Sequence, residues 1–367
     1  MGSFLDKPKY EKETHHNQGN NLIWALSSMQ GWRVEMEDAH QAVTDIPELP
    51  GGSFFAVFDG HGGDTVSKIC GTDSLKAILE TDIFKAAEDK LNPDMLKDAF
   101  RQGLLDLDAS IRATNSDLDS CADRSGSTAV GVIVTPTHVI FGNCGDSRAF
   151  ICRNGNVVFA TDDHKPTNEG EVARIKAADG DVSMGRVCGN LAVSRSLGDY
   201  FYKDMPDLDA TAQKISPEAD MTVIERNPED QFMLIACDGI YDVLTNANAA
   251  AFITNQLKAG YKAEEVVERL LDYCLHLDSK DNMSAILVLF ENAPKPEEGF
   301  VAPEQFPDPA ETFASSGNGD NGVAQPSPDN ILQLLSSMMS NQGGVNVVRA
   351  DDNGDSGAAA ADTADKQ

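Results

Sequence analysis

The stretch that decides the fold is Phe54-Phe55-Ala56-Val57-Phe58-Asp59-Gly60-His61-Gly62-Gly63. Its unbroken apolar run predicts a buried β-strand, and the residues after it predict a turn. Phe232-Met233-Leu234-Ile235-Ala236-Cys237 repeats the pattern and ends in Asp238-Gly239, whereas Asp281-Asn282 precedes the apolar run 283–290. Antiparallel pairing brings the end of one strand beside the start of its neighbour. We therefore predict that Asp59, Asp238 and Asp281 meet at one edge of one sheet, although Asp-Gly alone is also a common turn.

The rest of the region 21–291 combines short apolar strands with fewer helices. Further strands are predicted at 127–135, 139–143, 156–161 and 284–290. Helices are predicted near 64–80, 93–111, 168–178, 247–258 and 266–274. Because strands follow one another between groups of helices, we predict an α+β fold with helices packed outside antiparallel sheets.

Composition divides the chain into three parts. Residues 1–20 are polar without an apolar period and predict an N-terminal arm. Residues 21–291 predict the globular domain. Residues 292–367 are acidic and rich in Pro, Gly and Ala, which predicts a largely disordered tail. Within the tail, 331–339 carries an apolar pattern that predicts either a transient helix or a partner-binding motif.

Charge and cysteine content limit the classes of protein to consider. The formal net charge is −30, which argues against a nucleic-acid protein because such proteins need Lys and Arg to replace counterions. No apolar run is long enough for a membrane-spanning helix, and the start has no signal-peptide core. The seven cysteines include no C-x-x-C pair, which predicts reduced thiols in a cytoplasmic or nuclear protein.

A cluster of aspartates needs a neutralising charge. Like charges brought together repel, and bound dications are the simplest remedy. All-oxygen ligands favour Mg²⁺ or Mn²⁺ over Zn²⁺. Gly60 lets a backbone carbonyl approach such an ion, and the acids Glu37, Asp38 and Asp146 stand beside other apolar strands.

Two further side chains suggest an anionic substrate. A guanidinium beside a metal site matches phosphate oxygens, so Arg33 is a candidate phosphate ligand. The competing interpretation is an ordinary ion pair with Glu35 or Glu37. His61 directly follows Asp59-Gly60 and is a candidate catalytic group, although a lone histidine is more often structural.

The chain resembles a known protein family. The resemblance rests on an ordered series of motifs: Trp32-Arg33-x-x-Met36-Glu37-Asp38-Ala39-His40, Asp59-Gly60-His61-Gly62-Gly63, Asp123-Arg124-Ser125-Gly126-Ser127-Thr128-Ala129, Gly145-Asp146-Ser147-Arg148, Leu191-Ala192-Val193-Ser194-Arg195-Ser196-Leu197-Gly198-Asp199, Cys237-Asp238-Gly239 and Asp281-Asn282-Met283-Ser284. Together they resemble the metal-dependent, type 2C protein serine/threonine phosphatases over about residues 21–291. The start of the chain is similar to the animal alpha and beta isoforms of that family.

The resemblance implies two antiparallel sheets packed face to face, with helices on both outer faces. It also implies residue roles. Asp59 is implied to bridge two metal ions. Asp238 and Asp281 would complete the first ion, whereas the Gly60 carbonyl, with Glu37 and Asp38 partly through water, would hold the second. Asp146 and Asp242 are implied ligands of a weaker third ion. Arg33 is then the phosphate ligand and His61 the general acid, beside a flap around 163–190 that contains Arg186.

The implied function is hydrolysis of phosphoserine and phosphothreonine on proteins by water activated at a dinuclear Mg²⁺ or Mn²⁺ centre. Stress-activated and AMP-activated kinases are the implied substrate class, and we predict a monomer. The alternative on the same fold is a catalytically weak scaffold or regulatory protein. Asp207-Leu208-Asp209-Ala210-Thr211 matches the short motif of aspartyl-phosphate phosphatases but lacks a buried strand before it, and Asp352-Asn353-Gly354-Asp355 lacks the spacing of an EF-hand.

The first residues bear on localisation. Met1-Gly2 begins an N-myristoylation motif, but Asp6 stands where Ser or Thr is usual. The resemblance to isoforms with the same start keeps acylation of Gly2 open. One such chain gives only marginal, reversible membrane attachment.

Overall fold

Sixteen strands and nine α-helices lie in the residues that the structure, a computed structural model, describes, which are 4–119 and 123–314. The strands are β1 (Phe4–Gly19), β2 (Leu22–Arg33), β3 (Ala39–Val43), β4 (Ser53–Phe58), β5 (Gly60–His61), β6 (Gly126–Ser127), β7 (Ala129–Val134), β8 (His138–Cys144), β9 (Arg148–Arg153), β10 (Asn156–Ala160), β11 (Val182–Ser183), β12 (Arg186–Val187), β13 (Leu197–Gly198), β14 (Asp220–Glu225), β15 (Asp230–Ala236) and β16 (Met283–Leu289). The helices are α1 (Thr65–Glu80), α2 (Asp82–Ala86), α3 (Pro93–Thr114), α4 (Ser116–Asp119), α5 (Glu169–Ala177), α6 (Asp238–Tyr241), α7 (Asn246–Lys258), α8 (Ala263–His276) and α9 (Pro309–Ala314).

Two antiparallel sheets form the centre of the fold. The six-stranded sheet has the order β1-β2-β16-β15-β9-β10, and the five-stranded sheet has the order β14-β8-β7-β4-β3. Their facing residues form one apolar core. Helices α7 and α8 cover the outer face of the six-stranded sheet, and α1 and α3 cover that of the five-stranded sheet. The predicted α+β sandwich with helices on both outer faces is confirmed.

Strand β4 shows how the apolar run builds these layers. Side chains alternate across a strand, so successive residues serve opposite faces. Phe55 and Val57 face the other sheet, whereas Phe54 and Phe58 pack with α1 and α3. A strand buried on both faces must be apolar throughout, which explains the unbroken run.

The predicted arm at 1–20 is instead a strand over residues 4–19. Strand β1 pairs with β2 along the edge of the six-stranded sheet. Its side chains also make contacts: the Lys12 ammonium lies 2.6 Å from the Asp272 carboxylate, and Thr14 and Ser27 hydroxyls are 3.0 Å apart. An edge strand buries few side chains, so it leaves little apolar periodicity to recognise.

The domain boundary placed at 291 is also too early. Residues 292–314, here called the C-terminal strap, pack on the outer face of α7 and α8. Phe306 packs against Phe252 and Tyr273, and Glu304 accepts a hydrogen bond from Asn255 at 2.8 Å. Phe313 contacts Trp32 edge to face. The strap is therefore part of the folded domain.

Removing the strap should destabilise the protein, contrary to what composition indicates. A chain ending at residue 291 loses the Phe306 contacts and exposes the apolar surface of α7 and α8, so we expect its melting temperature to fall by roughly 5 °C or more. Thermal unfolding of a chain ending at residue 314 is the matched control, and it should melt like the full chain. Equal melting temperatures for all three chains would show that the strap contributes nothing.

Four predicted features lie outside the described residues: the disorder of the tail from residue 315 onward, the transient helix or partner-binding motif at 331–339, the Gly2 acylation site and the acidic run 352–355. Within the described part of the chain, no helix has the length and apolar character needed to cross a membrane.

Candidate metal centre and phosphate site

The acidic side chains converge at one end of the sandwich, but they come from both sheets. Asp59 follows β4 of the five-stranded sheet, while Asp238 follows β15 and Asp281 precedes β16 of the six-stranded sheet. The prediction of a single sheet edge is therefore correct for Asp238 and Asp281 and wrong for Asp59. The cleft between the two sheets brings the carboxylates together.

Two groups of potential ligands lie at this end. The Asp238, Asp242 and Asp281 carboxylate oxygens lie within 4.8 Å of one another, and so do those of Asp38 and Asp59 with the Cys237 sulfur. We call Asp38, Asp59, Asp146, Asp238, Asp242 and Asp281 the carboxylate cluster.

The electrostatics of the carboxylate cluster favour a bound cation. Burial first, and then the neighbouring carboxylates, raise the pKa of Asp59 and of Asp238 well above the ordinary aspartate value. Burial likewise raises the pKa of Asp38 to about 7. Among the described residues, no lysine or arginine forms an ion pair with Asp59 or Asp238. Burial also raises the pKa of the Cys237 thiol.

Asn282 organises the loop that carries Glu37 and Asp38. Its side-chain oxygen accepts from the Glu37 amide at 2.9 Å, and its amide nitrogen donates to the Gln30 and Glu35 carbonyls at 2.8 and 3.0 Å. Glu37 in turn accepts from the Gly63 amide at 2.6 Å. The sequence pattern does not predict this role of Asn282, and its position beside Asp281 is the only local indication of it.

Gly60 is needed for the close approach of this loop to β5. A Cβ at Gly60 would lie 2.2 Å from the Glu37 carbonyl oxygen, which is far too close. The Ser67 hydroxyl donates to that same carbonyl at 2.5 Å. Any side chain at position 60 would push the Glu37-Asp38 loop away from Asp59.

Arg33 ends β2 beside the cluster. Its Nη2 donates to Asp281 Oδ2 at 2.5 Å, so the ion pair is with Asp281 rather than with Glu35 or Glu37. The Arg33 Nε is buried and has no hydrogen-bond partner in the described structure. A buried donor left unpaired is costly, so this nitrogen is a ready contact for an anion.

The proposed weaker third site is partly occupied by a side chain. Asp146 is buried, and its Oδ2 accepts from the Lys165 ammonium at 2.5 Å. Asp242 is exposed and groups with Asp238 and Asp281. No sequence pattern predicts this contact of Lys165, whose ammonium neutralises Asp146.

His61 has a carboxylate partner that the sequence did not reveal. Its Nε2 lies 2.7 Å from Asp199 Oδ2. Burial alone lowers the pKa of His61, but the charge and hydrogen bond of Asp199, together with the charges of Asp146 and Glu37, raise it above the ordinary value. Asp199 closes the motif 191–199, which was its only signal. Arg186, by contrast, is exposed and donates to the Asn190 carbonyl within its own turn.

The residues present fit a hard dication. The donors are carboxylates, they are partly buried, and the cleft holds too few basic side chains to neutralise them. An arginine with an unpaired donor stands at its rim. This arrangement has the chemistry that a metal-dependent hydrolase acting on a phosphate ester requires.

Metal removal should lower stability in a pH-dependent way. With raised pKa values the metal-free folded chain binds more protons than the unfolded chain, so its stability falls as pH rises from about 4 to about 7. Bound cations act oppositely because they favour ionised carboxylates. We expect EDTA to lower the melting temperature by roughly 5 °C at pH 8 and by less at pH 5, with Mg²⁺ restoring it. An equal melting temperature with and without EDTA at both pH values would contradict a cation site.

Comparison with known proteins agrees with this class. The family model for protein phosphatase 2C matches residues 24–283. The chain is 51% identical over 307 residues to protein phosphatase 1B of Mus musculus, covering 82% of this chain and 78% of the mouse protein. It is 48% identical over 313 residues to protein phosphatase 1A of Homo sapiens, covering 85% and 80%. A solved phosphatase from a pathogenic strain of Toxoplasma gondii is similar with a TM-score of 0.66 and 25% identity, covering 77% of this chain and 96% of that one.

The chain therefore belongs to the protein phosphatase 2C family, as its motifs predicted. It is a metal-dependent protein serine/threonine phosphatase, a hydrolase of phosphoric monoesters. The short match to aspartyl-phosphate phosphatases is coincidental, because Asp209 lies exposed before a single-turn 3₁₀ helix and not after a strand.

Proposed function

We propose that this chain removes phosphate from phosphoserine and phosphothreonine in proteins, using two Mg²⁺ or Mn²⁺ ions held by the carboxylate cluster. The observation that carries this proposal is the convergence of six carboxylates beside the Nε of Arg33, which has no hydrogen-bond partner in the described structure. The metals neutralise the acids, and the arginine selects an anionic substrate.

The ligands are divided between two positions. Asp59 would contribute to both, as the family resemblance implies, and the charges of Asp38, Asp146, Asp238 and Asp281 all act on its carboxyl group. Asp238 and Asp281 would complete one position. The Gly60 carbonyl, Glu37 and Asp38 would serve the other, partly through water. Asp146 and Asp242 would hold a weaker third ion only if Lys165 released Asp146.

The side chains of this protein then perform separate tasks. When bound, the metal ions supply Lewis acidity and lower the pKa of a water molecule toward neutrality. Arg33 holds the phosphoryl oxygens through its guanidinium donors. His61 donates the proton on its Nδ1 to the departing serine or threonine oxygen, which is a strong base. Its other ring nitrogen, Nε2, bonds to the Asp199 carboxylate, which stabilises the protonated ring and fixes its orientation.

The test is phosphate release from a phosphothreonine peptide. After EDTA treatment and desalting, the chain should be inactive, and added Mn²⁺ or Mg²⁺ should restore turnover. Ca²⁺ at the same concentration is the control for a non-specific charge effect. Undiminished release from the metal-free chain would contradict the proposal.

Substrates and location extend this proposal. Stress-activated and AMP-activated kinases are the proposed substrate class, and the family resemblance supports it. The reduced state of the cysteines in the described residues supports a cytoplasmic and nuclear protein. The chain acts as a monomer, and acylation at Gly2 would add a weak, reversible membrane attachment.

A further inference from the structure

We propose that Asp108, in the middle of α3, is a positioning residue that holds Asp199 against His61 through a buried ion pair with Lys203. This rests on the proposed general-acid role of His61. Asp108 itself lies outside the carboxylate cluster. We call residues 196–203 the Asp199 loop.

A small sheet carries both members of the His61–Asp199 pair. Strands β5, β6 and β13 form it in the order β13-β6-β5, with His61 opposite Gly126 and Gly126 opposite Gly198. A Cβ on Gly126 would lie 2.2 Å from Asp199 Oδ2 and 2.5 Å from His61 Nε2. The hydrogen bond thus passes directly over Gly126, and the position of β13 sets its length.

Asp199 needs surroundings that hold it in place. Its φ is 52°, in the left-handed region that non-glycine residues seldom adopt. Its amide donates to the Ser125 carbonyl at 3.1 Å, and the Ser196 hydroxyl donates to its Oδ2 at 2.5 Å. The conformation that aims the carboxylate at His61 is therefore imposed by neighbouring residues.

Asp108 and Lys203 fix the Asp199 loop on both sides of Asp199. Asp108 Oδ1 accepts from the Gly198 amide at 2.7 Å and from the Lys203 ammonium at 2.8 Å. The same ammonium donates to the Ser196 carbonyl at 3.1 Å. The Tyr200 hydroxyl adds a bond to the Asp108 carbonyl at 2.7 Å. These contacts tie residues 196, 198, 200 and 203 to one turn of α3.

Because the Asp108–Lys203 ion pair is buried, its contribution depends on close hydrogen-bond geometry. The side chains of Asp108 and Lys203 are only 6% and 3% exposed. A buried pair gains little net stability over apolar residues, whereas removing one partner leaves an uncompensated charge. The Asp108 carboxylate also receives the Gly198 amide, so its loss releases the strand that precedes Asp199.

The test compares leaving groups, because a merely structural defect affects all substrates alike. Asp108→Asn should lower the rate on a phosphothreonine peptide relative to p-nitrophenyl phosphate by about tenfold or more. The aryl leaving group needs little proton donation. Asp106→Asn is the matched control, since Asp106 is exposed on the same helix and bonds only to Gln102 in the described structure. It should leave the rate ratio unchanged.

Two further variants test whether Asp108 acts through His61. In a His61→Gln background, Asp108→Asn should change the rate ratio less than about twofold, because its effect passes through His61. If Asp108→Asn folds poorly, the double variant Asp108→Asn, Lys203→Met removes both charges and should show the same selective loss. A wild-type ratio in these Asp108 variants overturns the positioning role. An equal loss of rate on both substrates in the single variant His61→Gln overturns the general-acid role of His61, on which the positioning role depends.

Discussion

Asp59→Asn should lower kcat/KM for a phosphothreonine peptide by at least about 10²-fold in the presence of Mn²⁺. Four of the five other members of the cluster act on Asp59, since Asp38, Asp146, Asp238 and Asp281 all raise its pKa after the effect of burial. An asparagine has nearly the same shape but supplies no charge. The cations would then be held more weakly, and steady-state kinetics with Mn²⁺ titration measures both losses.

The melting temperature provides a second, independent test of Asp59. Without metal, Asp59→Asn removes a repelling charge, so the EDTA-treated variant should melt higher than the EDTA-treated wild type at pH 8. Added Mn²⁺ should raise its melting temperature less than it raises that of the wild type. Asp209→Asn is the control and should change neither quantity, because Asp209 is exposed and caps its short helix with no side-chain bond. Full Mn²⁺-dependent turnover by Asp59→Asn would refute the assignment.

Asp281→Asn tests a different ligand and carries an additional effect. It removes the partner of Arg33 as well as a carboxylate of the group that Asp281 forms with Asp238 and Asp242. We expect weaker Mn²⁺ binding and an altered KM, because the freed guanidinium is no longer held at the rim. Normal turnover with normal Mn²⁺ affinity would remove Asp281 from the ligand set.

Sequence could locate the acids because their positions follow from strand ends. The register of β15 against β16 places Asp238 beside Asp281, as antiparallel pairing requires. The same reasoning misplaced Asp59, since apolar runs do not reveal which sheet a strand joins. Both sheets bury both faces of their central strands, so their sequence patterns look alike.

The residues that sequence could not assign act through contacts distant in the chain. Asp199 lies 138 positions from His61, and Asn282 lies 245 positions from Glu37. Each looks like a turn or strand-end residue when considered locally. Lys165 is similar, since its contact with Asp146 depends on the path of the loop after β10. Such pairs are formed by tertiary packing and produce no periodic pattern in the local sequence.

The final prediction concerns His61 as the general acid. Nearby dications would lower the pKa of a histidine and work against proton donation. The structure supplies the opposing charge, because Asp199 lies 2.7 Å away and raises the pKa of His61 despite burial. His61→Gln should therefore slow hydrolysis of a phosphothreonine peptide by roughly 10²–10⁴-fold. The departing alkoxide is a strong base that needs the proton.

The same variant should act much more weakly on p-nitrophenyl phosphate, whose leaving group has a pKa of about 7 and departs without a proton. Asp199→Asn should reproduce this selectivity, because an amide cannot hold the ring proton as a carboxylate does. Asp209→Asn again serves as the control with an unchanged rate ratio. Equal losses on both substrates in His61→Gln would mean that His61 only orients the loop after β4. A selective loss in His61→Gln without one in Asp199→Asn would mean that another group keeps the ring protonated.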